Sequence, residues 1–113
     1  DEGSRIEDAT ITDSIIGIRT IVGRGVVINR SIIMGEDFFE EECPPGRIPI
    51  GIGEGTHIEG AIVDKNTRIG RNVRIYAADA LPDQIGDGWA IRDGIVVILK
   101  GAEIPDGTVI GKA

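Results

Sequence analysis

The sequence is poor in several residue types that most domains rely on. Its 113 residues include one cysteine, one histidine, one methionine, two leucines and four aromatic side chains. With Cys43 alone, no intramolecular disulfide can form, which fits a reducing cytoplasm. With His57 alone, a zinc site of the three-histidine type is excluded. No apolar run approaches the ~20 residues needed to cross a bilayer, and no secretory leader is visible. A formal net charge of -7 argues against nonspecific nucleic-acid binding, which needs a basic surface.

What replaces the missing residues is β-branched. There are 22 isoleucines and 8 valines, with 17 glycines and 5 prolines between them. Such side chains suit pleated surfaces, and the glycines and prolines divide the chain into short segments. The aliphatics recur every six residues: Ile16, Val22, Ile28, Met34; Ile52, Ile58; Ile69, Ile75; and Ile98, Ile104, Ile110. A second set of small or β-branched residues falls four later, at Thr20, Val26, Thr56, Val73, Ala102 and Thr108. Period six is neither helical nor simple strand. It predicts an all-β chain wound as a parallel β-helix, three hexads closing each triangular coil of roughly eighteen residues. Glycine after the lead aliphatic is expected to ease the chain round each corner.

Two stretches lack the period, Gly35–Pro49 and Tyr76–Trp89, and are expected to project from a corner as inserted loops. The first gathers five acids: Glu36, Asp37, Glu40, Glu41 and Glu42. Beyond the second, Asp93-Gly94 within "WAIRDGIVVI" predicts a C-terminal β-hairpin. Repeats start near Ile6 without a polar cap, and the only methionine is internal. Both features lead us to expect a fragment whose N-terminal end stacks on another domain or subunit.

Few residues offer chemistry. His57 is the one candidate general base, for an acyl transfer of the kind found on hexapeptide solenoids, but in "GTHIEG" at a coil corner it reads first as a surface residue. Cys43 lies among carboxylates, which disfavour a reactive thiolate, and reads as an inert loop cysteine or an intersubunit disulfide partner. No phosphate-binding loop and no Ser/His/Asp set is present. The prominent feature is basic. Lys65, Arg68, Arg71 and Arg74 are spaced by three in "IVDKNTRIGRNVRI", and Lys100 follows a later strand. Side chains at these positions are expected to point outward, either as a solvated face or as an anion site. Guanidinium forks and a mobile ammonium group suit phosphate and carboxylate.

Three ordered blocks, "RIEDATITDSIIGIRTIVGRGVVINRSIIMGEDFFE", "IPIGIGEGTHIEGAIVDKNTRIGRNVRI" and "GIVVILKGAEIPDGTVI", resemble the C-terminal domain of the glucose-1-phosphate adenylyltransferases. "SIIMGEDFFE" is similar to the cyanobacterial and plant type. The resemblance implies a left-handed β-helix spanning 1–113, a homo-oligomer (a tetramer in the family) and a missing N-terminal catalytic domain. That domain would join ATP and α-D-glucose 1-phosphate into ADP-glucose and pyrophosphate, using Mg²⁺, for glycogen or starch synthesis. No catalytic, cofactor or metal residue is expected in this chain. The resemblance further implies control by a small phosphorylated effector, 3-phosphoglycerate or inorganic phosphate, with Lys65 and Lys100 as effector residues. Arg68, Arg71 and Arg74 rest on the basic pattern alone. Location would be cytoplasmic, or plastidial in a plant. The alternatives are a free-standing acyltransferase using His57 and a ligand-free structural module.

Overall fold

The computed structural model describes residues 5–6 and 8–111, so the extreme ends of the expected 1–113 domain lie outside it. No helix occurs among the described residues. Among the described residues sixteen short strands form three sheets, each one face of a parallel β-helix. The first face carries β1 (Arg5–Ile6), β4 (Ile21–Val22), β7 (Gly51–Ile52), β10 (Arg68–Ile69) and β15 (Glu103–Ile104). The second carries β2 (Thr10–Thr12), β5 (Val27–Asn29), β8 (His57–Glu59), β11 (Arg74–Ile75) and β16 (Val109–Ile110). The third carries β3 (Ile15–Ile16), β6 (Ile32–Ile33), β9 (Ala61–Val63) and β14 (Ile95–Ile98), with β13 (Trp89–Arg92) and β12 (Gln84–Ile85) added at one edge.

The inward aliphatics stack in three columns, one per face. Val22, Ile52, Ile69 and Ile104 make the first; Ile28, Ile58, Ile75 and Ile110 the second; Ile33, Val63 and Ile98 the third. All are at least 95% buried, and stacking like on like lets β-branched side chains fill the prism without large residues. The second set also points inward at Thr20, Val26, Thr56, Val73 and Ala102, while Thr108 is half-buried.

Three expectations are corrected. The period slips by one at the third face: Ile33 is the core residue and Met34 is 42% exposed. Without an insertion a coil takes seventeen residues, as between Ile16 and Ile33, or sixteen, as between Ile6 and Val22, and not eighteen. The hairpin is present, with Asp93 (φ +51) and Gly94 (φ +79) in the left-handed conformation its tight turn requires, but it is neither two-stranded nor C-terminal. β12 extends it to three antiparallel strands, β14 doubles as a coil strand paired with β9, and β15 and β16 resume the solenoid.

The third correction concerns glycine after the lead aliphatic. Gly53 is not in the left-handed region; a Cβ there would lie 2.4 Å from the carbonyl oxygen of Gly70 in the next coil. Close approach between coils excludes a side chain, whereas the corner itself is turned two residues later, at Gly55 (φ +74).

Candidate functional site

The basic row does not survive folding as a row. Hexads occupy successive faces of a triangle, so residues six apart in sequence look in different directions. Lys65 stands at the corner between the third and first faces, Arg68 on the first face, Arg71 at the following corner and Arg74 on the second face. Only residues one full coil apart become neighbours.

That rule brings Lys65 and Lys100 together. Val63 pairs with Ile98 in register, so two residues on, Lys65 and Lys100 occupy the same step of adjacent coils. The Gly101 N–H donates to the Lys65 carbonyl at 2.9 Å and clamps the two corners to each other. Lys100 is exposed, and the Lys65 side chain is 44% exposed. Met34 and Leu99, both exposed, flank Asp64 at the preceding step of the same corner. Two ammonium groups thus share one edge of the prism beside an apolar margin.

The acidic insertion folds onto this corner as a strap. Asp37 places Oδ1 3.4 Å from Lys65 Nζ. Asn66 donates from Nδ2 to Asp37 Oδ2 at 3.0 Å, and the Asp37 N–H donates to Asn66 Oδ1 at 2.8 Å. Asn66 turns the corner at φ +61, a conformation asparagine tolerates better than most residues. The Asn66 amide, then Lys65, hold the Asp37 carboxyl below its ordinary value, and Lys100 adds to the effect.

Behind Asp37, Glu36 is buried, with Oε1 lacking a hydrogen-bond partner. Burial raises its pKa to about 7, against smaller lowering effects of the Asn66 N–H and of Arg68; Asp37 adds a small push upward. Its backbone is anchored on both sides, by its own N–H to Ile18 O (3.1 Å) and by Arg19 Nε to its carbonyl (3.0 Å).

The three arginines are engaged elsewhere. Arg68 faces away from the prism core but is not solvated: the strap covers it to 8% exposure. It forks onto Glu40 at 2.6 and 3.0 Å and donates to Ile48 O at 2.9 Å. Arg71 is exposed, and its Nε lies 4.0 Å from Asp106 Oδ2. Arg74 donates to Gly55 O at 2.8 Å on the second face, in register with His57. His57 is on strand β8, not at a corner, with Arg74 and Val27 as its neighbours in adjacent coils. Cys43 lies within the strap, half-buried, its Sγ 3.1 Å from Arg47 O.

The remaining end of the strap is tied by Glu103, which accepts from Arg47 Nε (3.0 Å) and from the Ile48 N–H (2.7 Å). Between strap and first face lies an open cleft of about 460 Å³, floored by Ile21, Ile52 and Ile69. Among the described residues no group of three or more His, Cys, Asp or Glu side chains is placed to hold a metal ion. Sequence reasoning missed Asp37, Asn66 and Glu40 as partners of the cations. The available signal was the acid-rich insertion itself, which is long enough to return across the face that carries Arg68.

Residues 1–109 match the family model of the GLGC left-handed parallel beta-helix domain. The chain is 41% identical over 117 positions to the chloroplastic/amyloplastic glucose-1-phosphate adenylyltransferase small subunit of Triticum aestivum, covering 96% of this chain and 25% of that protein. It is 41% identical over 118 positions to the glucose-1-phosphate adenylyltransferase small subunit of Zea mays, covering 96% of this chain and 94% of that sequence. The chain therefore spans about a quarter of the wheat relative's length. The hand of the coil, left, comes with the family.

Proposed function

The chain belongs to the GLGC left-handed parallel beta-helix family of the glucose-1-phosphate adenylyltransferases, and we propose that it is the regulatory and assembly domain of such an enzyme. The whole protein would convert ATP and α-D-glucose 1-phosphate into ADP-glucose and pyrophosphate, feeding glycogen or starch synthesis. Nucleotide transfer and its Mg²⁺ belong to a separate catalytic domain, and no residue of this chain is assigned to either. The role of this chain is to bind a small phosphorylated effector, 3-phosphoglycerate or inorganic phosphate, and to hold subunits together. Its compartment would be the cytoplasm, or the plastid in a plant.

The observation that carries the reading is the stacking of Lys65 on Lys100 at one corner. Two ammonium groups on adjacent coils can each meet one anionic group of an effector that carries both a carboxylate and a phosphate. Lysine acts there as a mobile point charge, without the fixed fork that engages Arg68 elsewhere. The exposed Met34 and Leu99 beside them fit a corner that packs against another body. An effector bound at such a boundary controls activity by binding the active arrangement more tightly than the inactive one. Arg68, buried in its pair with Glu40, is assigned to holding the strap, and Arg71 and Arg74 face other directions.

Support for assembly comes from the third face. Its outward row runs in register through exposed Ile15 and Ile32 and half-buried Ile62 and Val97, and on the antiparallel strands passes buried Ala90 to reach exposed Ile85. A row without a polar side chain on an outer sheet surface is a contact surface for another subunit.

The test uses the full-length protein and its dependence on 3-phosphoglycerate. A charge-assisted contact is worth about 1.5–3 kcal/mol. Lys65→Ala and Lys100→Ala should therefore each raise the half-activating concentration at least about tenfold. An unchanged concentration in both variants overturns the assignment.

A further inference from the structure

Resting on the reading of the Lys65/Lys100 corner as the effector site, we propose that Asp37 is a built-in competitor of the effector: its carboxylate holds Lys65 until an incoming anion displaces it. The strap is attached to the solenoid in two ways that differ in kind. Glu40 is fixed, forked by Arg68 at 2.6 and 3.0 Å with both side chains one-tenth exposed. Asp37 is held loosely, at 3.4 Å from Lys65 Nζ, with both side chains nearly half exposed. An ion pair of the second kind exchanges readily with water and with other anions, because little desolvation has to be reversed.

The position of Asp37 is set by its neighbours. Asn66, on the same corner as Lys65, takes the Asp37 N–H on Oδ1 and returns a hydrogen bond from Nδ2 to Asp37 Oδ2. These reciprocal contacts leave Oδ1 directed at the ammonium group. Lys100, one coil away, also favours the charged carboxylate. A single carboxylate thus occupies the field of the two cations that an effector carboxylate or phosphate would occupy.

Competition of this sort fixes the apparent affinity. If the corner is held by Asp37 for most of the time, only the released fraction binds effector, and the half-saturating concentration rises in proportion. It also couples occupancy to the strap. Release of Asp37 frees the segment that continues into Phe38 and Phe39, which are 44% and 55% exposed, while Glu40 stays anchored.

The experiment measures activation by 3-phosphoglycerate and the effect of inorganic phosphate in the full-length protein carrying Asp37→Asn, Asp37→Glu or Lys65→Ala. Asp37→Asn keeps a side chain able to accept from Asn66 and removes the competing charge. It should lower the half-effective concentration of both anions by up to about fivefold, the range set by an exposed ion pair. Asp37→Glu, which retains the charge, should stay close to the parent protein. An unchanged or raised concentration in Asp37→Asn, with Lys65→Ala still raising it, overturns the competitor and leaves the effector site standing. If Lys65→Ala and Lys100→Ala shift nothing, the site itself is wrong and the competitor falls with it.

Discussion

Arg68 and Glu40 lie 28 residues apart in sequence, yet Arg68 Nη2 meets Glu40 Oε2 at 2.6 Å, with each side chain only 10% exposed. The pair closes the acidic strap onto the first face of the prism. The guanidinium group is also accepted by Ile48 O, and Glu40 Oε1 accepts in turn from the Ile50 N–H. Removing one partner leaves the other charge buried without compensation. Arg68→Met should destabilise the chain by about 3–5 kcal/mol in urea unfolding. Arg68→Met combined with Glu40→Leu should recover most of that loss, because two apolar side chains carry no desolvation penalty. A double variant as unstable as the single one would show that the pair does more than neutralise itself.

Glycine serves two purposes in this solenoid, and substitution separates them. At Gly53 a methyl group would sit 2.4 Å from Gly70 O, a backbone atom held by the stacking of coils. At Gly25 nothing lies within 4 Å, and only the left-handed φ of +74 opposes a side chain. Gly53→Ala must push two coils apart and should cost over about 3 kcal/mol, or abolish folding. Gly25→Ala should cost about 1 kcal/mol, the ordinary penalty for a non-glycine residue in that conformation. Equal losses in thermal unfolding would contradict the distinction.

The solenoid was legible in the sequence because its core repeats: Val22, Ile28, Ile52, Ile58, Ile69 and Ile75 announce their faces by spacing alone. Met34 was misplaced because the third face is one residue shorter, a slip that a fixed period of six cannot register. The site was less legible. Lys65 and Lys100 are 35 residues apart and stack only once the insertion after Ile75 is discounted, so their proximity is a property of the coil count. Cations three apart appeared as a cluster because a linear reading has no corners. Asp37 and Glu40 carried no periodic signal, and non-repeating loops reveal their contacts only in three dimensions; Asn66 shares its corner position with Asn72 six residues on, but the repeat does not say what such a corner residue holds.

Glu36 gives the stability curve a sign of its own. Burial raises its folded pKa from 4.5 to about 7, so the folded chain binds a proton that the unfolded chain has released between those values. Its contribution to stability is full below about pH 4.5 and is lost as the pH rises through 7. Asp37, Glu40 and Glu103 are shifted downward, so their contributions are present above the unfolded carboxylate pKa and are lost on acidification. Between pH 5 and 8 the Glu36 effect acts alone among these four. Midpoints of urea unfolding should fall with pH across that window, and Glu36→Gln, neutral throughout, should flatten the curve. A parent curve that is level or rising from pH 5 to 8 would contradict the buried-acid account.

The third face predicts how copies of the domain meet. Six strands at the usual spacing of about 4.8 Å carry its aliphatic row over about 24 Å. Ile15 and Ile32, 66% and 40% exposed, occupy one end of the row, and Ile85, 72% exposed, the other. In a monomer this surface would remain in water at about 25 cal/mol per Å² of apolar area. Paired with the same face of a second copy it forms a self-complementary contact, the arrangement a two-fold interface requires. Ile32→Glu places a charge within that contact, near one end of the row, yet on the chain itself it alters only a surface position, with an expected change in stability within about 0.5 kcal/mol. Sedimentation of the full-length protein should then show a smaller assembly for Ile32→Glu than for the parent at equal concentration. An unchanged mass with unchanged stability would mean that the third face is not where subunits join.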